Sequence, residues 1–483
     1  MSSETEIKLD LSHEAFDALI GSDLLGEPAE VVQQSSVYFD AADRRLWNNG
    51  YTLRIRKVET ARTQTVKVTG PSRALFARSE WETPVENDEP VLDHTSPLLA
   101  EFGGELKLVP LFDAVCERRV WKVEENGSRI EVAVDAGQAV SGDRLSPFLE
   151  AEIELKDGSS NDLFVFARKI DAVAGFRIGV RSKAERGFGL IEAQKTAYKS
   201  EPVDLDRNMD AAVAFRAISL SCFRQFRLNE EVLLHRRNPE ALHQARVALR
   251  RLRSAFSLFK PIIPGNEPLR LKDELRWLAV VLGEARNVDV LLTKATDPDL
   301  VFKLKSARES VYRDAIDALN CSRSRTLMLD LFDWLECGDY LPSNGAASVA
   351  IPSARGFAER VLDKQRKRLK RDGGSLATLD DDHRHEVRKD AKRFRYAAEF
   401  FASLFDDARG VRRHKKFLAA MEALQDDLGA LNDLVTGPEV LDKHGLSGHP
   451  AKDSVISHAD KEALIERAQA SLDDVLDSER FWR

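Results

Sequence analysis

Cysteine is scarce in this sequence, and its placement excludes two kinds of site. Four cysteines, Cys116, Cys222, Cys321 and Cys337, occur in 483 residues, and no two form a Cys-x-x-Cys pair. Without such pairs the sequence predicts neither a zinc site nor a disulfide framework. A reducing cytoplasm is therefore the simplest expected compartment.

Long apolar runs and an excess of positive charge are also lacking. No run of about 18 uncharged apolar residues occurs, so we expect no membrane span, and the first residues lack the basic and apolar regions of a signal peptide. The 72 basic side chains are outnumbered by 80 acidic ones, which leaves a net charge of −8. That balance argues against a protein that is basic overall and coats nucleic acid. The length predicts two to four domains.

The hydrophobic pattern changes near residue 203. Before it, apolar and polar residues alternate between turn-forming Gly, Pro and Asn, which indicates antiparallel β-structure. After it, apolar residues recur every three or four positions, which is typical of amphipathic helices. One helix, Asn161–Val173, is expected within the β part. The predicted strands are Thr5–Leu11, Thr52–Val58, Thr63–Thr69, Arg78–Val85, Arg118–Val123, Arg129–Asp135 and Leu149–Lys156.

Charge divides unequally between the two parts. Residues 1–203 carry 25 basic and 35 acidic side chains, whereas residues 204–483 carry 47 and 45. Eight of the ten histidines also lie in the second part. We therefore expect the two parts to bind ligands in different ways.

Several predicted strands have one charged face. Residues two apart on a strand share a face, so Glu6 and Lys8 point together, as do Arg54 and Arg56. For a single strand the ordinary interpretation is a solvated face. Six such strands favour a closed barrel whose charged faces line a wet lumen. Arg and Lys there would match a polyanion such as triphosphate, and carboxylates would suit Mg²⁺ or Mn²⁺.

The first part resembles the CYTH domains, also known as triphosphate tunnel metalloenzymes. Glu4-Thr5-Glu6-Ile7-Lys8 matches the Glu-x-Glu-x-Lys signature of that family. The order and spacing of the later motifs agree over essentially residues 1–200. These motifs are Tyr38-Phe39-Asp40, Leu53-Arg54-Ile55-Arg56, Lys67, Arg78-x-Glu80-x-Glu82, Glu131 to Gly137, Glu150 to Lys156 and Ser182 to Arg186.

The resemblance implies an eight-stranded antiparallel tunnel that cleaves or rearranges a triphosphate with divalent metal. Glu4, Glu6 and Lys8 would be catalytic. Arg119 lies beside Arg118 and would face the opposite side of the strand. The implied phosphate ligands are Lys8, Arg54, Arg56, Lys67, Arg118 and Lys183. The implied metal ligands are Glu4, Glu6, Glu152 and Glu154, with Glu80, Glu82, Asp135 and Glu150 as further ligands or as residues behind them.

The second part contains a duplicated basic motif. His243-Gln-Ala-Arg246-Val-Ala-Leu-Arg250-Arg251-Leu-Arg253 is echoed 142 residues later by His385-Glu-Val-Arg388-Lys-Asp-Ala-Lys392-Arg393-Phe-Arg395. Leu282-Gly283 with Arg286-Asn287 is likewise echoed by Leu428-Gly429 with Asn432-Asp433. On a helix each motif has a basic face and an apolar face. One such face is usually a solvated surface. Two related by duplication favour a positive groove across a pseudo-two-fold axis.

This part resembles the CHAD domain, the conserved-histidine α-helical domain. The resemblance implies two four-helix bundles, with repeat halves at about 204–340 and 353–483, and a basic surface that binds inorganic polyphosphate. The histidines could instead ligate a metal, but their neighbours are cations that would repel it. The implied polyphosphate contacts are His243, Arg246, Arg250, Arg253, His385, Arg388, Lys392 and Arg395.

Together these patterns predict an α+β tunnel domain at 1–203 followed by an all-α domain at 204–483. The leading hypothesis is a metal-dependent inorganic triphosphatase with a polyphosphate-binding module. Thiamine triphosphate or ATP hydrolysis, adenylyl cyclase activity, and a non-catalytic polyphosphate-binding scaffold are the alternatives. We expect a cytoplasmic location, with polyphosphate granules as one option, and no membrane partner. Nucleic acid is a distant option, and the oligomeric state is left open, with a monomer as one option.

Overall fold

A computed structural model describes residues 2–68, 77–342, 351–457 and 459–483. The side chains of residues 2–4, 77 and 78 are outside this description. The chain divides into two compact units. The first unit comprises Met1–Thr196 together with Ser322–Gly338, and the second comprises Ala197–Cys321 together with Asp339–Arg483.

The first unit contains a closed antiparallel barrel of eight strands within the described residues. The order around the barrel is β5-β4-β3-β2-β6-β7-β8-β1, and β1 closes it by pairing with β5. A ninth strand extends β1 outside the ring. The predicted eight-stranded tunnel is thus confirmed. The strands are β1 (Ser2–Asp10), β2 (Glu30–Ala41), β3 (Tyr51–Val58), β4 (Ala61–Val68), β5 (Ala77–Pro84), β6 (Leu108–Glu125), β7 (Ser128–Ser141), β8 (Arg144–Asp157) and β9 (Arg177–Ile178).

Each of the seven predicted strands falls on an observed one, but β2 was missed and β6 is longer than predicted. The polar stretch Gln33–Ser36 hides the alternation of β2, because its apolar residues cluster at the two ends. Thr69, the predicted end of one strand, lies outside the described residues.

Asp40, near the end of β2, anchors the turn into β3. Its buried carboxylate accepts hydrogen bonds from the backbone nitrogens of Ala41, Leu46 and Trp47 at 2.7–2.9 Å.

Helices of the first unit pack against the barrel, with α4 and α5 making most of these contacts. The first unit contains α1 (His13–Ile20), α2 (Arg45–Asn48), α3 (Leu98–Phe102), α4 (Ser160–Val173) and α5 (Lys183–Ile191). The predicted packing helix is α4, whose apolar face packs on β1 and β8. Helix α5 begins with a capping box in which Ser182 and Glu185 bond each other's backbone nitrogens, an arrangement that fixes a helix start. This start places Lys183 against the barrel.

The remaining helices confirm the duplicated all-α architecture. In the described part of the second unit, α6 to α9 form one four-helix run and α11 to α14 form the other, each packing on its sequence neighbours. Counterparts also meet, since α6 contacts α11, α7 contacts α12 and α8 contacts α13. The helices are α6 (Ala211–His235), α7 (Pro239–Leu258), α8 (Glu267–Lys294), α9 (Pro298–Asn320), α10 (Ser322–Cys337), α11 (Ala354–Asp372), α12 (Asp381–Phe400), α13 (Ala408–Lys443) and α14 (Lys461–Asp477).

Helix α10 lies between the two repeats in sequence but belongs to the first unit. Phe332 packs edge-on against Phe164 of α4, with ring centroids 5.8 Å apart. Arg168 of α4 bonds Asp330 at 2.9 Å and Asp333 at 2.7 Å. No helix in the described part of the chain is both apolar and long enough for a bilayer crossing.

Candidate functional site: a cationic tunnel and a cationic pocket

The barrel encloses a cavity of about 280 Å³ whose wall is almost entirely charged or polar. The cavity brings together most of the site residues expected in this part of the sequence. The side chain of Glu4 lies outside the described residues, so its placement stays a prediction. The predicted residues that line the cavity are Glu6, Lys8, Arg54, Arg56, Lys67, Glu80, Glu82, Arg118, Glu152, Glu154 and Lys183.

Two arginines on β3 line the wall side by side. Burial opposes the charge of Arg54, but Tyr38 and Glu80 outweigh it and raise the pKa of Arg54. Nε of Arg54 and Nε of Arg56 are buried, and neither has a hydrogen-bond partner among the described residues. The nearby Arg54 guanidinium, burial, and Arg118 together lower the pKa of Arg56 to about 10. Buried donors without acceptors cost stability, so this wall is arranged for an anion that is supplied from outside.

Three carboxylates, Asp135 and Glu150 behind the wall and Glu152 in it, hold three cations in place. Asp135 accepts two hydrogen bonds from Arg118, at 2.7 and 2.6 Å, and one from Lys183 at 2.7 Å. Lys183 also bonds Glu150. Lys8 bonds Glu150 at 3.2 Å and Glu152 at 2.7 Å. Asp135 and Glu150 are fully buried and do not line the cavity.

This network fixes the charge state of its members. Burial opposes ionisation, but the surrounding carboxylates outweigh it and raise the pKa of Lys8 and of Lys183 above the ordinary lysine value. Burial likewise opposes ionisation of Glu152, yet Lys183, Lys8 and Arg118 hold its pKa well below the usual range. Both lysines therefore stay protonated at neutral pH and can act as phosphate ligands rather than as proton acceptors.

The carboxylates expected to hold metal differ in their surroundings. Oxygens of Asp135, Glu150 and Glu152 lie within 4.8 Å of one another, but Lys183 and Lys8 already occupy the space beside them. Asp135 and Glu150 are thus positioned as partners of the cations, and their role as metal ligands stays a prediction.

A second group of carboxylates faces the lumen, and in it Glu131, which was not expected as a ligand, joins the predicted Glu6 and Glu154. Glu6, Glu154 and Glu131 stand in register on the adjacent strands β1, β8 and β7, and all three line the cavity. Lys156 lies 2.8 Å from Glu154 and 3.4 Å from Glu131. A row of carboxylate oxygens without thiolate or imidazole suits a hard divalent cation, so these residues fit Mg²⁺ or Mn²⁺. On β4 and β5, Glu80 pairs with Lys67 at 2.6 Å, and Thr65 donates to Glu82 at 3.2 Å.

Some lining residues were not singled out from the sequence. Glu131 and Lys156 belong to the sequence motifs of the first part and lie on the same strand faces as predicted residues. The alternation of residues along the strands could therefore have identified them. Thr52 and Thr65 carry no charge, and only their positions two residues before Arg54 and Lys67 place them on the same strand faces. The further lining residues are Tyr38, Thr52, Thr65, Glu131, Lys156, Ser182 and Ala184.

Three aromatic residues that could stack on a base, Trp47, Tyr51 and Trp81, have partners outside the lumen. Trp47 stacks on Phe188 at 4.1 Å. Tyr51 is buried and donates to Glu101 at 2.8 Å, and Trp81 packs against the cluster of apolar side chains outside the barrel lumen. None of the three lines the described cavity wall.

In the second unit, the two basic motifs meet in one cavity of about 540 Å³, which we name the central pocket. Predicted residues from both repeats line it, which agrees with the expected groove between α7 and α12. His243 and Arg395 are not among its described lining residues. The predicted residues that line it are Arg246, Arg250, Arg253, His385, Arg388 and Lys392.

Hydrogen bonds to neutral groups orient several of these cations. Nε of Arg250 lies 2.6 Å from the hydroxyl of Tyr396 across the repeat interface. Arg246 donates to the backbone oxygen of Gly283 at 2.5 Å. The Asn432 side-chain oxygen lies 2.9 Å from Nδ1 of His385 and 3.2 Å from Arg388. The repeated Leu-Gly and Asn motifs therefore support the basic motifs.

Lys392 is the most strongly perturbed cation of the central pocket. Burial, followed by repulsion from Arg250, Arg388 and Arg246, lowers the pKa of Lys392 to about 6, and Asp433 offsets this only partly. Burial and the neighbouring Arg250 also lower the pKa of Arg246 to about 10. Nε of Arg253 and Nε of Arg388 are buried without a partner among the described residues. The pocket thus holds excess positive charge.

The two remaining predicted contacts, His243 and Arg395, are not among the described lining residues of the pocket. Arg395 bonds Glu399 at 2.9 Å, and Glu399 also bonds Arg251 at 2.5 Å. His243 is half-buried, and burial together with Arg286 lowers its pKa. The central pocket also contains cations without a motif signal, such as Lys272 on α8. Other additions are Asn287, Lys294, Lys389, Arg393, Asn432 and Asp433.

Comparison with known proteins finds a different family for each of the two parts of the chain. The family model described as the CYTH domain matches residues 2–188, and that of the CHAD domain matches residues 217–442. An inorganic triphosphatase of Haemophilus influenzae is 31% identical over 168 residues, which cover 33% of this chain and 46% of that protein. The matched segment thus spans about half the length of this relative.

Two solved structures are also similar. The CHAD domain of Ricinus communis is 29% identical, with a TM-score of 0.48, and the match covers 59% of this chain and 97% of that one. A Hippeastrum protein, described as a candidate adenylyl cyclase with a dominant triphosphatase activity, is 19% identical with a TM-score of 0.29. That match covers 38% of this chain and 93% of the other.

Proposed function

We propose, from the premise that the chain combines a CYTH domain with a CHAD domain, that it hydrolyses inorganic triphosphate in the barrel with Mg²⁺ or Mn²⁺. We also propose that the helical domain binds inorganic polyphosphate, and that residues 1–203 and 204–483 are the two functional domains. The observation that carries the first proposal is the pair Arg54 and Arg56, whose buried Nε groups have no partner among the described residues.

The positively and negatively charged residues of the tunnel wall would have different roles. Lys8, Arg54, Arg56, Lys67, Arg118 and Lys183 would bind the phosphate oxygens. Glu6 and Glu154, with Glu131 beside them and Glu4 as a sequence-based candidate, would hold a divalent ion. Such an ion neutralises phosphate charge and positions and acidifies a water. Asp135, Glu150 and Glu152 would keep Arg118, Lys8 and Lys183 in position, so that the anion meets a preformed site.

The composition of the wall favours a bare triphosphate over a nucleotide. Trp47, Tyr51 and Trp81 do not line the described cavity, and the lining residue Tyr38 is stacked on Phe112 at 4.7 Å. A base or thiazolium ring would therefore find few aromatic faces in the tunnel. We propose tripolyphosphate as the preferred substrate over ATP and thiamine triphosphate.

Phosphate release from these three substrates, with Mg²⁺ or Mn²⁺, tests the tunnel. Tripolyphosphate should be hydrolysed fastest. Lys8→Ala, Glu4→Gln and Arg54→Ala should each lower kcat/KM by about 100-fold or more, as expected when a transition-state contact is lost. Lys305→Ala, on the exposed face of α9, is the matched control and should keep full activity. Unchanged hydrolysis in Lys8→Ala and Arg54→Ala would contradict the proposal.

The central pocket carries the second proposal. Its cations come from both repeats, and Lys392 has no ion-pair partner within the part of the chain that the structure describes. The same preparations should bind labelled polyphosphate, and Arg250→Ala combined with Arg388→Ala should abolish that binding. If this variant binds as tightly as the original chain, the pocket is not the polyphosphate site.

A further inference from the structure

Helix α11 presents a row of exposed cations that lies outside the central pocket. Arg360, Lys364, Lys367 and Arg371 recur every three or four residues, so they share one face of the helix, and all four are exposed. We name this set the α11 row. It covers eleven residue steps, or about 16 Å of helix.

Few acids compensate the α11 row. Within the described residues, Lys364 and Lys367 have no ion-pair partner, and Arg371 pairs with Asp372 at 2.6 Å. Asp363 is the one acid among the described residues lining this surface, and it already bonds Arg483 and Nε1 of Trp482. The row therefore keeps most of its positive charge.

A buried carboxylate joins this surface to the central pocket. Asp390 on α12 is 2% exposed. One of its oxygens lies 2.7 Å from Nε of Arg368, and the other lies 2.7 Å from Nη1 of Arg393. Arg368 lines the same surface as the α11 row, whereas Arg393 lines the central pocket. Asp372 also lies 3.5 Å from Arg368 and 2.6 Å from Arg371. Two carboxylates thus face three arginines at the junction, so one positive charge remains and the cationic surface continues from the pocket to α11.

We propose that the α11 row, joined to the central pocket through Arg368, Asp390 and Arg393, is a second anion-binding surface that holds the part of a long polyphosphate chain extending beyond the pocket. This inference rests on the proposed polyphosphate binding by the pocket. Under it, short chains such as tripolyphosphate bind in the tunnel or the pocket without reaching the α11 row, and the row adds affinity only for chains that are long enough to reach it.

The chemistry of the row favours polyphosphate over single-stranded nucleic acid. Proteins that bind nucleic acid without sequence preference combine cations with aromatic side chains on which bases stack. The described residues that line the row are four arginines or lysines of the set, Arg368 and Asp363, and none is aromatic. A polymer of phosphates alone needs no stacking surface, and a line of evenly spaced cations matches its repeating charge.

The experiment compares a short and a long chain on the full-length protein, without divalent metal so that neither probe is hydrolysed. The probes are labelled tripolyphosphate and labelled polyphosphate of ~100 phosphates, and affinity is measured at several salt concentrations. The test variant combines Lys364→Ala, Lys367→Ala and Arg371→Ala. The matched control combines Lys303→Ala, Lys305→Ala and Arg313→Ala, which removes the same charge from the exposed face of α9.

The test variant should bind the long chain about tenfold more weakly, with the slope of log affinity against log salt reduced by about 2 units, because three phosphate contacts are lost. Its affinity for tripolyphosphate, and both affinities of the control, should stay unchanged. If the test variant binds the long chain as tightly as the original protein does, the inference about the α11 row is overturned, while the proposal for the central pocket is unaffected. If the original chain binds neither probe, the pocket proposal fails as well. RNA that displaces the long chain equally well at equal phosphate concentration would overturn the assignment to polyphosphate.

Discussion

At the scale of single residues, the two candidate sites treat buried cations in opposite ways. In the tunnel, Lys8 and Lys183 are surrounded by carboxylates that hold them protonated. In the central pocket, burial and then repulsion from the surrounding arginines lower the pKa of Lys392 to about 6. The tunnel cations are therefore charged before any ligand arrives, whereas Lys392 gains its charge when an anion enters.

Lys392 consequently makes polyanion binding depend on pH. Its pKa in the free protein is about 6, and a bound polyanion favours the charged form and raises that pKa. A proton is then taken up on binding above about pH 6, so affinity should rise as the pH falls from 9 to 6 and level off below. Calorimetry in two buffers of different ionisation enthalpy should detect this uptake at pH 7.5. Lys392→Met should abolish it, and uptake that persists in this variant would contradict the assignment.

The same lysine should lower stability. Its folded pKa of about 6 lies far below that of an unfolded lysine, so the unfolded chain binds more protons between pH 6 and 10 and stability rises with pH across that window. Lys392→Met, of similar shape, removes the uncompensated group. We expect the variant to be more stable by about 1 kcal/mol or more at pH 7, which denaturant unfolding of both proteins can measure.

At the scale of elements, the position of α5 controls Lys183. A Cβ added to Gly187 would lie 1.9–2.0 Å from ring carbons of Phe112 on β6. Only glycine therefore lets α5 approach the barrel this closely, and this approach places Lys183 beside Asp135 and Glu150.

Gly187→Ala should displace α5 and with it the Lys183 ammonium group. We expect a loss of about 1–3 kcal/mol in stability from overpacking and a rise in KM for tripolyphosphate, because a phosphate ligand is moved. Gly189→Ala, whose Cβ would meet only Arg181 at 3.5 Å, serves as the control on the same helix. Equal KM values for the two variants would show that α5 does not position Lys183.

Much of the element level could be predicted from the sequence. Alternation fixed seven strands, because residues such as Ala151 and Ile153 are apolar while Glu150, Glu152 and Glu154 are charged. It could not show that Asp135 and Glu150 are fully buried behind the lumen, since face-sharing does not reveal depth. The helical motif also did not show that Arg395 forms an ion pair with Glu399 one turn later instead of lining the central pocket. Nor did it show that Lys272, on a different helix, lines that pocket.

At the scale of the whole molecule, the first unit is discontinuous in sequence. Helix α10 is separated from Thr196 by more than one hundred residues, yet it supplies Phe332 to the surface of α4. The proposed domain boundary near residue 203 would assign this helix to the second domain, although it packs with the first unit.

Removing the Phe332 ring tests how much α10 matters to the first unit. Phe332 is 1% exposed, so Phe332→Ala should cost about 3–5 kcal/mol and speed hydrogen exchange in α4. The control is Phe302→Ala, because Phe302 is 71% exposed and should tolerate the change. Unaltered exchange in α4 after Phe332→Ala would show that the helix is dispensable there.

The discontinuity of the first unit has a consequence during protein synthesis. Domains generally fold as units while the chain leaves the ribosome, from the N-terminus onward. Here the barrel can form early. Phe164 and Arg168, however, can contact Phe332, Asp330 and Asp333 only after residues 322–338 have been synthesised, and by then the four helices of the first helical repeat have also been synthesised. The outer surface of α4 is thus the part of the nascent barrel that stays open to chaperones and proteases longest.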